Sequence, residues 1–258
     1  MIARRLQRIF PDNKTLIVAC DHGMIEGPAP GIEVIGDTLK AVVAGGADAV
    51  MCSYGTAVRF AELLAHTALV LRMDGAGTRI GPRTGPGAQF YTVEDALRLG
   101  ADALCVTAFP GSPHEEATLE TLARVIRQAH QWDMPVMAEM VPGGFDSLPE
   151  KRTLDAIQVA ARVAAELGAD WVKVPYVDVF REVTRTCYVP VVVLGGERRD
   201  DPRQTLSMVQ AGLAAGASGA VIGRNVWQSG RTEAMTRALS ALIHSDITTQ
   251  QAWEIFQQ

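Results

Sequence analysis

The chain alternates between two rhythms. Eight short runs, at residues 15–20, 48–54, 68–75, 103–109, 135–141, 170–176, 190–196 and 219–225, are largely apolar and β-rich. Runs of this length and character predict strands buried on both faces. Most of the stretches between them carry a helical period, as at 118–130 and 154–167. The gaps after the second and sixth runs have room only for a brief helix. Strands that alternate with helices in this way predict a parallel sheet covered by helices, an α/β class.

A repeat sharpens the architecture. The second, fourth, sixth and eighth runs are entered through GGADAV, LGADAL, LGADWV and AGASGA. Each places Gly where a helix ends, then a small residue, then the strand. A device that recurs at every second strand predicts a two-strand unit, and eight such strands close a (β/α)8 TIM barrel. A doubly wound open sheet is the alternative. It would want GxGxxG after its first strand, and DHGMIEGP at 21–28 does not supply one. No linker or low-complexity segment divides the chain, so residues 1–258 are expected to form one barrel domain. A short amphipathic helix carrying Ile2, Leu6, Ile9 and Phe10 precedes it. A terminal helix at 248–256, opened by a T-x-x-Q capping box, follows it. The Gly/Pro-rich run at 75–87 reads as a disordered loop or a mobile cover over a site.

Composition narrows the function. A 258-residue chain that is 48% hydrophobic and 21% charged, with net charge −5, is an ordinary soluble globular type. No basic tract is present, so nucleic acid and anionic membrane are not expected partners. No apolar run reaches the ~18 residues of a membrane helix. The first ten residues are too broken by charge for a signal peptide. Four cysteines, Cys20, Cys52, Cys105 and Cys187, form no CxxC pair. With the first three inside strands, they predict a reducing, cytoplasmic setting without structural disulfides.

Barrel enzymes carry their chemistry where strands end. The sixth strand holds Lys173 between apolar and aromatic residues. The chain has only four lysines, Lys14, Lys40, Lys151 and Lys173, against twenty arginines. A plain positive charge at 173 would therefore be expected as Arg. Lysine alone of the two can lose its proton and attack a carbonyl. The competing reading is a strand-end lysine paired with a carboxylate. Asp21 ends the first strand and Glu139 lies in the fifth, and both would flank Lys173. Asp21 is a partner for the ammonium, an orienter of substrate, or a loop cap. Glu139 is an acid–base group or half of a structural ion pair with a barrel Arg. Tyr54, at the end of the second strand, is a proton donor or a packing residue. His22, next to Asp21, should point away from it. The five histidines show no zinc spacing. Gly195 and Gly196 after the seventh strand, and Gly223 and Arg224 after the eighth, are what a phosphate site there requires. Backbone N–H groups can then approach an anion with no Cβ in the way.

Taken together, ACDHGMIEGP (19–28), VKVPY (172–176), VVVLGGE (191–197) and GASGAVIGRNVWQ (216–228) resemble the archaeal-type class I fructose-bisphosphate aldolases. Relatives of that family include aldolase-like synthases and a thiolase-like branch that processes phosphorylated autoinducer-2. The likeness runs from the first strand to the C-terminal helix. It implies a (β/α)8 barrel, Lys173 as the Schiff-base lysine, Asp21 as the first-strand acid, and Gly195, Gly196, Gly223 and Arg224 as a phosphate cradle. It implies no metal and no other cofactor, and a homo-oligomer built as a pentamer or decamer. One position departs. The aldolases carry a catalytic tyrosine before a Pro at the end of strand five, and here that position is Val141. The thiolase-like branch also lacks the tyrosine, and the tail HSDITTQQAWEIF (244–256) looks more like that branch.

The expected function is a class I, metal-independent aldolase or lyase acting on a small phosphorylated ketose or dicarbonyl. An apolar setting would hold Lys173 deprotonated. Two alternatives stand beside it. One is acyl transfer from a phosphorylated diketone to coenzyme A. The other is a phosphosugar-binding protein without turnover.

Overall fold

The computed structural model of the protein describes residues 2–81 and 85–258. All eight runs are strands: β1 Thr15–Ala19, β2 Ala49–Cys52, β3 Ala68–Arg72, β4 Ala103–Ala108, β5 Val136–Met140, β6 Trp171–Pro175, β7 Val191–Leu194 and β8 Gly219–Ile222. They pair in parallel and close into a barrel, β1 joining both β2 and β8. The long helices Glu115–His130 and Leu154–Glu166 sit where the helical period placed them. The second and sixth gaps hold only Tyr54–Arg59 with Ala61–Leu64, and Arg181–Thr186. The capping box of Thr248 and Gln251 opens the last helix, Thr249–Gln257.

Side-chain alternation splits the core into two shells. Leu16, Val18, Val50, Leu69, Leu71, Val106, Val172 and Val193 face outward and pack under the helices. Ile17, Ala19, Met51, Val70, Cys105, Met137, Trp171, Val192 and Val221 fill the barrel interior. The N-terminal helix, Ile2–Ile9, serves the interior shell: Ile9 and Phe10 pack into its lower end. The Phe10 ring meets Trp171 edge to face at 5.4 Å. The amphipathic start of the chain is thus a plug for one mouth, leaving the other mouth open.

The repeated Gly-Ala-Asp entries have a physical basis that the sequence pattern only half exposes. Gly46, Gly100, Gly168 and Gly216 all have positive φ, between 71° and 97°, and end their helices without a Cβ penalty. The aspartates then act as clamps between neighbouring strands. Asp48 Oδ2 accepts from Leu16 N at 2.6 Å, Asp102 Oδ2 from Leu69 N at 2.9 Å and Asp170 Oδ2 from Val136 N at 2.7 Å. Each also meets a cationic or imidazole side chain, respectively His244, Arg8 and His130. Ser218 replaces Asp in the fourth copy. All of this lies at the plugged mouth.

After β3 the chain forms a two-stranded antiparallel ribbon, Asp74–Gly75 with Ala88–Gln89. The run expected to be disorder or a cover is therefore anchored at its base. Its residues 82–84 lie outside the described residues.

Asp102→Ala removes the acceptor from the buried Leu69 N–H. An orphaned buried donor costs about 1–3 kcal/mol. Urea unfolding should show a loss of that size, with the midpoint lowered and the slope unchanged.

Candidate active site

The open mouth is built by strand parity. One inward step beyond Ala19, Val70, Cys105, Met137, Trp171 and Val221 stand Asp21, Arg72, Thr107, Glu139, Lys173 and Gly223. All six line one cleft of about 230 Å³. Register sets three of them side by side: Thr107 pairs with Glu139, and Glu139 with Lys173. Arg72 pairs with Cys105, one inward step deeper, roughly 6.6 Å lower along the strand. Its length lets it reach up to the row.

The side chains form one continuous network. Lys173 Nζ lies 2.5 Å from Glu139 Oε1. Arg72 Nη2 lies 2.5 Å from Glu139 Oε2, and its Nε donates to Asp21 Oδ2 at 2.7 Å. Arg72 Nη1 donates to Thr107 Oγ1 at 2.6 Å and reaches Asp74 Oδ1 at 3.4 Å. The Thr107 hydroxyl lies 3.1 Å from Glu139 Oε2, and Thr107 N donates to Asp74 Oδ2 at 3.0 Å. Lys173, Glu139, Arg72 and Asp21 are between 2% and 8% exposed, so these are buried charges satisfied by one another.

Burial works against ionisation of Glu139, but Lys173 and Arg72 outweigh it and bring the carboxyl down to about 2. Burial opposes ionisation of Asp21 too. Arg72, with His22 and Lys173, holds it well below the usual carboxylate range. For Asp74 burial prevails over Arg72 and the Thr107 N–H, and its carboxyl is pushed up. Burial also pushes up the Cys20, Cys52 and Cys105 thiols, Cys52 to about 12, so none offers a thiolate at neutral pH.

One wall of the cleft is made by the loops after β7 and β8. Gly195, Gly196, Gly223 and Arg224 all line it. A Cβ on Gly223 would stand 2.8 Å from the His22 ring and 3.1 Å from Ala19 O, so a side chain here would have to displace that ring. Gly196 has φ +74°, the left-handed region. Trp227 Nε1 donates to Ala19 O at 3.0 Å and ties this wall to β1. Arg224 Nε is buried without a hydrogen-bond partner among the described residues. Across the cleft Arg152 Nη2 donates to Phe145 O at 3.2 Å, while its Nε is likewise unpartnered. Such donors call for an acceptor supplied by a ligand or by water.

The structure brings together Lys173, Asp21, Glu139, Gly195, Gly196, Gly223 and Arg224, as strand ends predicted. It corrects three expectations. Tyr54 does not line the cleft: it opens the helix after β2, and its ring stacks on Tyr91 at 4.8 Å. His22 does not point away from Asp21: its Nδ1 is 3.3 Å from Asp21 Oδ1. The backbone has turned helical there (φ −59°, ψ −25°), and strand alternation no longer applies. Lys173 is not in an apolar setting, because Glu139 and Arg72 close around it. Val141 does line the cleft, and it presents no hydroxyl. Arg72, Thr107, Asp74 and Arg152 were missed. For Arg72 the signal was available: a charge between Leu71 and Met73 inside an apolar strand, as with Lys173.

Comparison with known proteins agrees with this geometry. Residues 15–229 match the family described as DeoC/LacD family aldolase. The 3-hydroxy-5-phosphonooxypentane-2,4-dione thiolase of Yersinia pseudotuberculosis serotype O:1b (strain IP 31758) is 34% identical over 256 residues, 98% of this chain and 85% of that protein. An archaeal fructose 1,6-bisphosphate aldolase superposes with TM-score 0.84 at 31% identity, covering 94% of this chain and 99% of that one. An archaeal fructose-1,6-bisphosphate aldolase whose catalytic Lys is covalently bound to the carbinolamine intermediate superposes with TM-score 0.83, also at 31% identity, with the same coverage.

The depressed carboxyls carry a sign for stability. Asp21 and Glu139 titrate lower folded than unfolded, so their contribution is present above about pH 4, the unfolded range. It is lost as pH falls through their folded values. Asp74, shifted the other way, gives a smaller opposing relief on acidification. The thermal midpoint should hold between pH 7 and 5 and fall steeply below about pH 4. Asp21→Asn should flatten that fall. A midpoint that is level down to pH 3 would contradict the ionised network.

Proposed function

The chain belongs to the DeoC/LacD family of aldolases, carbon–carbon-bond-cleaving enzymes, and from that premise we propose a Schiff-base reaction at Lys173 on a small phosphorylated ketose or dicarbonyl. The observation that carries this reading is the 2.5 Å contact of Lys173 Nζ with Glu139 Oε1, on the floor of a cleft walled by glycines and Arg224. Lysine must shed a proton before it can add to a ketone, and Glu139 is the acceptor in contact. The amine then adds to the carbonyl carbon, giving a carbinolamine. Glu139 returns its proton to the carbinolamine hydroxyl, water departs, and an iminium forms. The iminium draws electrons from the adjacent C–C bond. Glu139, ionised again, takes the proton of the β-hydroxyl, the β-carbon leaves as an aldehyde, and the enamine left behind is protonated on carbon and hydrolysed to free the lysine.

The substrate phosphate is assigned to the wall of Gly195, Gly196, Gly223 and Arg224, with the unpartnered Arg224 Nε as one donor. In this reading Asp21, held by Arg72, shapes the field around the amine rather than touching it. Glu139 takes over the proton transfers for which Val141 has no hydroxyl. The cleft volume of about 230 Å³ suits a small metabolite.

A second reading is acyl transfer from a phosphorylated diketone to a thiol carrier such as coenzyme A. Val141 and the thiolase relative favour it. The two readings share the phosphate wall and differ in whether turnover requires a thiol acceptor.

Borohydride reduction with a panel of phosphorylated ketones, read by intact mass, tests the reading. The native chain should gain one adduct. Lys173→Arg should keep the fold and phosphate binding, and lose the adduct and turnover together. A Lys173→Arg variant that retained turnover would reduce the lysine to a cation for the ligand.

Arg224→Ala should weaken binding of a phosphorylated ketone by roughly 10- to 150-fold, the worth of a charged hydrogen bond. Its unphosphorylated analogue should be little affected. Equal loss for both would make Arg224 structural.

A further inference from the structure

Arg72 takes no step in the reaction above, yet it touches more of the cleft's polar groups than any other side chain there. Four elements present it with oxygen partners, and β2 adds the Met51 sulfur at 3.8 Å. The chain after β1 presents Asp21 at 2.7 Å, with His22 beyond it. The ribbon presents Asp74 at 3.4 Å. β4 presents Thr107 at 2.6 Å, and β5 presents Glu139 at 2.5 Å.

Hydrogen-bond roles follow from chemistry. Guanidinium has no acceptor, so at the Arg72–Thr107 contact the threonine oxygen accepts. Its hydroxyl hydrogen is then left to donate, and Glu139 Oε2 is 3.1 Å away. Oε2 therefore receives two donors, from Arg72 Nη2 and Thr107. Among the described residues, Oε1 faces only Lys173 Nζ.

We propose that Arg72, through Thr107, is the positioning residue that makes Glu139 a one-sided proton carrier, with Oε2 held and Oε1 open to Lys173. This rests on the reading of Lys173 as nucleophile. In the step concerned an Nζ–H bond breaks and an Oε1–H bond forms, leaving neutral amine beside neutral acid. The same O–H bond later breaks as the carbinolamine hydroxyl leaves as water. An oxygen that already accepts two donors has little left to offer a proton, so the exchange is confined to Oε1. Asp21 at Nε and Asp74 at Nη1 stop the guanidinium from swinging. A lysine at 72 would keep the charge. It lacks the planar fork that serves Asp21, Thr107 and Glu139 at once.

The test compares the native chain with Arg72→Lys, Arg72→Met, Thr107→Val and Glu139→Gln, using dihydroxyacetone phosphate as the probe. Folding is checked by urea unfolding. Adduct trapping by borohydride reports the nucleophile. Exchange of the substrate's α-hydrogen in D2O, followed by NMR, reports kcat and KM for enamine formation.

Loss of an acid–base group lowers rate by 10²–10⁴. A positioning role therefore predicts roughly a 10²-fold lower kcat in Arg72→Met and about ten-fold in Thr107→Val, with KM within about three-fold. Arg72→Lys should recover about ten-fold over Arg72→Met. All should still trap the adduct.

Native-level kcat in Thr107→Val and Arg72→Lys would overturn the inference. So would a loss confined to KM, or exchange that Glu139→Gln leaves untouched. Should Arg72→Met not fold, Thr107→Val and Arg72→Lys decide alone. Failure of the native chain to trap any adduct would instead remove the Schiff-base reading itself.

Discussion

One carboxylate, Glu139, is shared between two buried cations, and the open end of the barrel is arranged around that sharing. Neither Arg72 nor Lys173 could stand in the interior alone, because a lone charge out of water costs several kcal/mol. Glu139 contacts both at 2.5 Å, one on each oxygen, and Asp21 on Arg72 supplies the second negative charge. Its own burial is tolerated only because both cations are present. Asp21 and Asp74 complete the shell around the guanidinium. Removing any one member exposes the others to the full desolvation penalty, so the group stands or falls as a unit.

The same sharing prepares the chemistry. A lysine kept in an apolar pocket would be poised by desolvation, with no partner to take its proton. Here a carboxylate is in contact, 2.5 Å from the amine, and the proposed reaction uses the two as acid and nucleophile. Lys173 first and Arg72 second hold Glu139 down against its burial, so a proton that it takes up in the proposed reaction is readily passed on. That is what a site needs when its strand-five end carries Val141 in place of a hydroxyl. The proposed phosphate wall, Gly195, Gly196, Gly223 and Arg224, lies on the loops after β7 and β8. In that reading binding and bond-breaking are divided among different strands.

The two mouths of the barrel divide labour as well. At the plugged mouth Asp48, Asp102 and Asp170 accept backbone N–H groups of neighbouring strands and hold the staves together. At the open mouth Asp21 and Glu139 bond to side chains, Asp74 accepts from Thr107 N and Arg72, and Glu139 meets the amine. The one residue type serves cohesion at one end and electrostatics at the other. What differs is the strand end at which it stands.

The strand runs, their parity and the helix-ending glycines were legible in the amino-acid order, because period and punctuation are local properties of a chain. They determined the barrel, the terminal helix, and the presence of Lys173, Asp21, Glu139 and the glycine wall at one mouth; the first helix was legible as amphipathic, but its place as a plug was not. What the order of residues could not determine was who pairs with whom. That Arg72 reaches up from a deeper row, that Thr107 stands in register with Glu139, and that Tyr54 turns away to stack on Tyr91 depend on stagger between strands far apart in sequence. His22 illustrates the limit within two residues, since alternation ends where the backbone leaves the strand. Only closure of the barrel brings these side chains within hydrogen-bonding distance. Because Coulomb and hydrogen-bond energies fall steeply with separation, tertiary structure alone decided that Lys173 is paired rather than isolated.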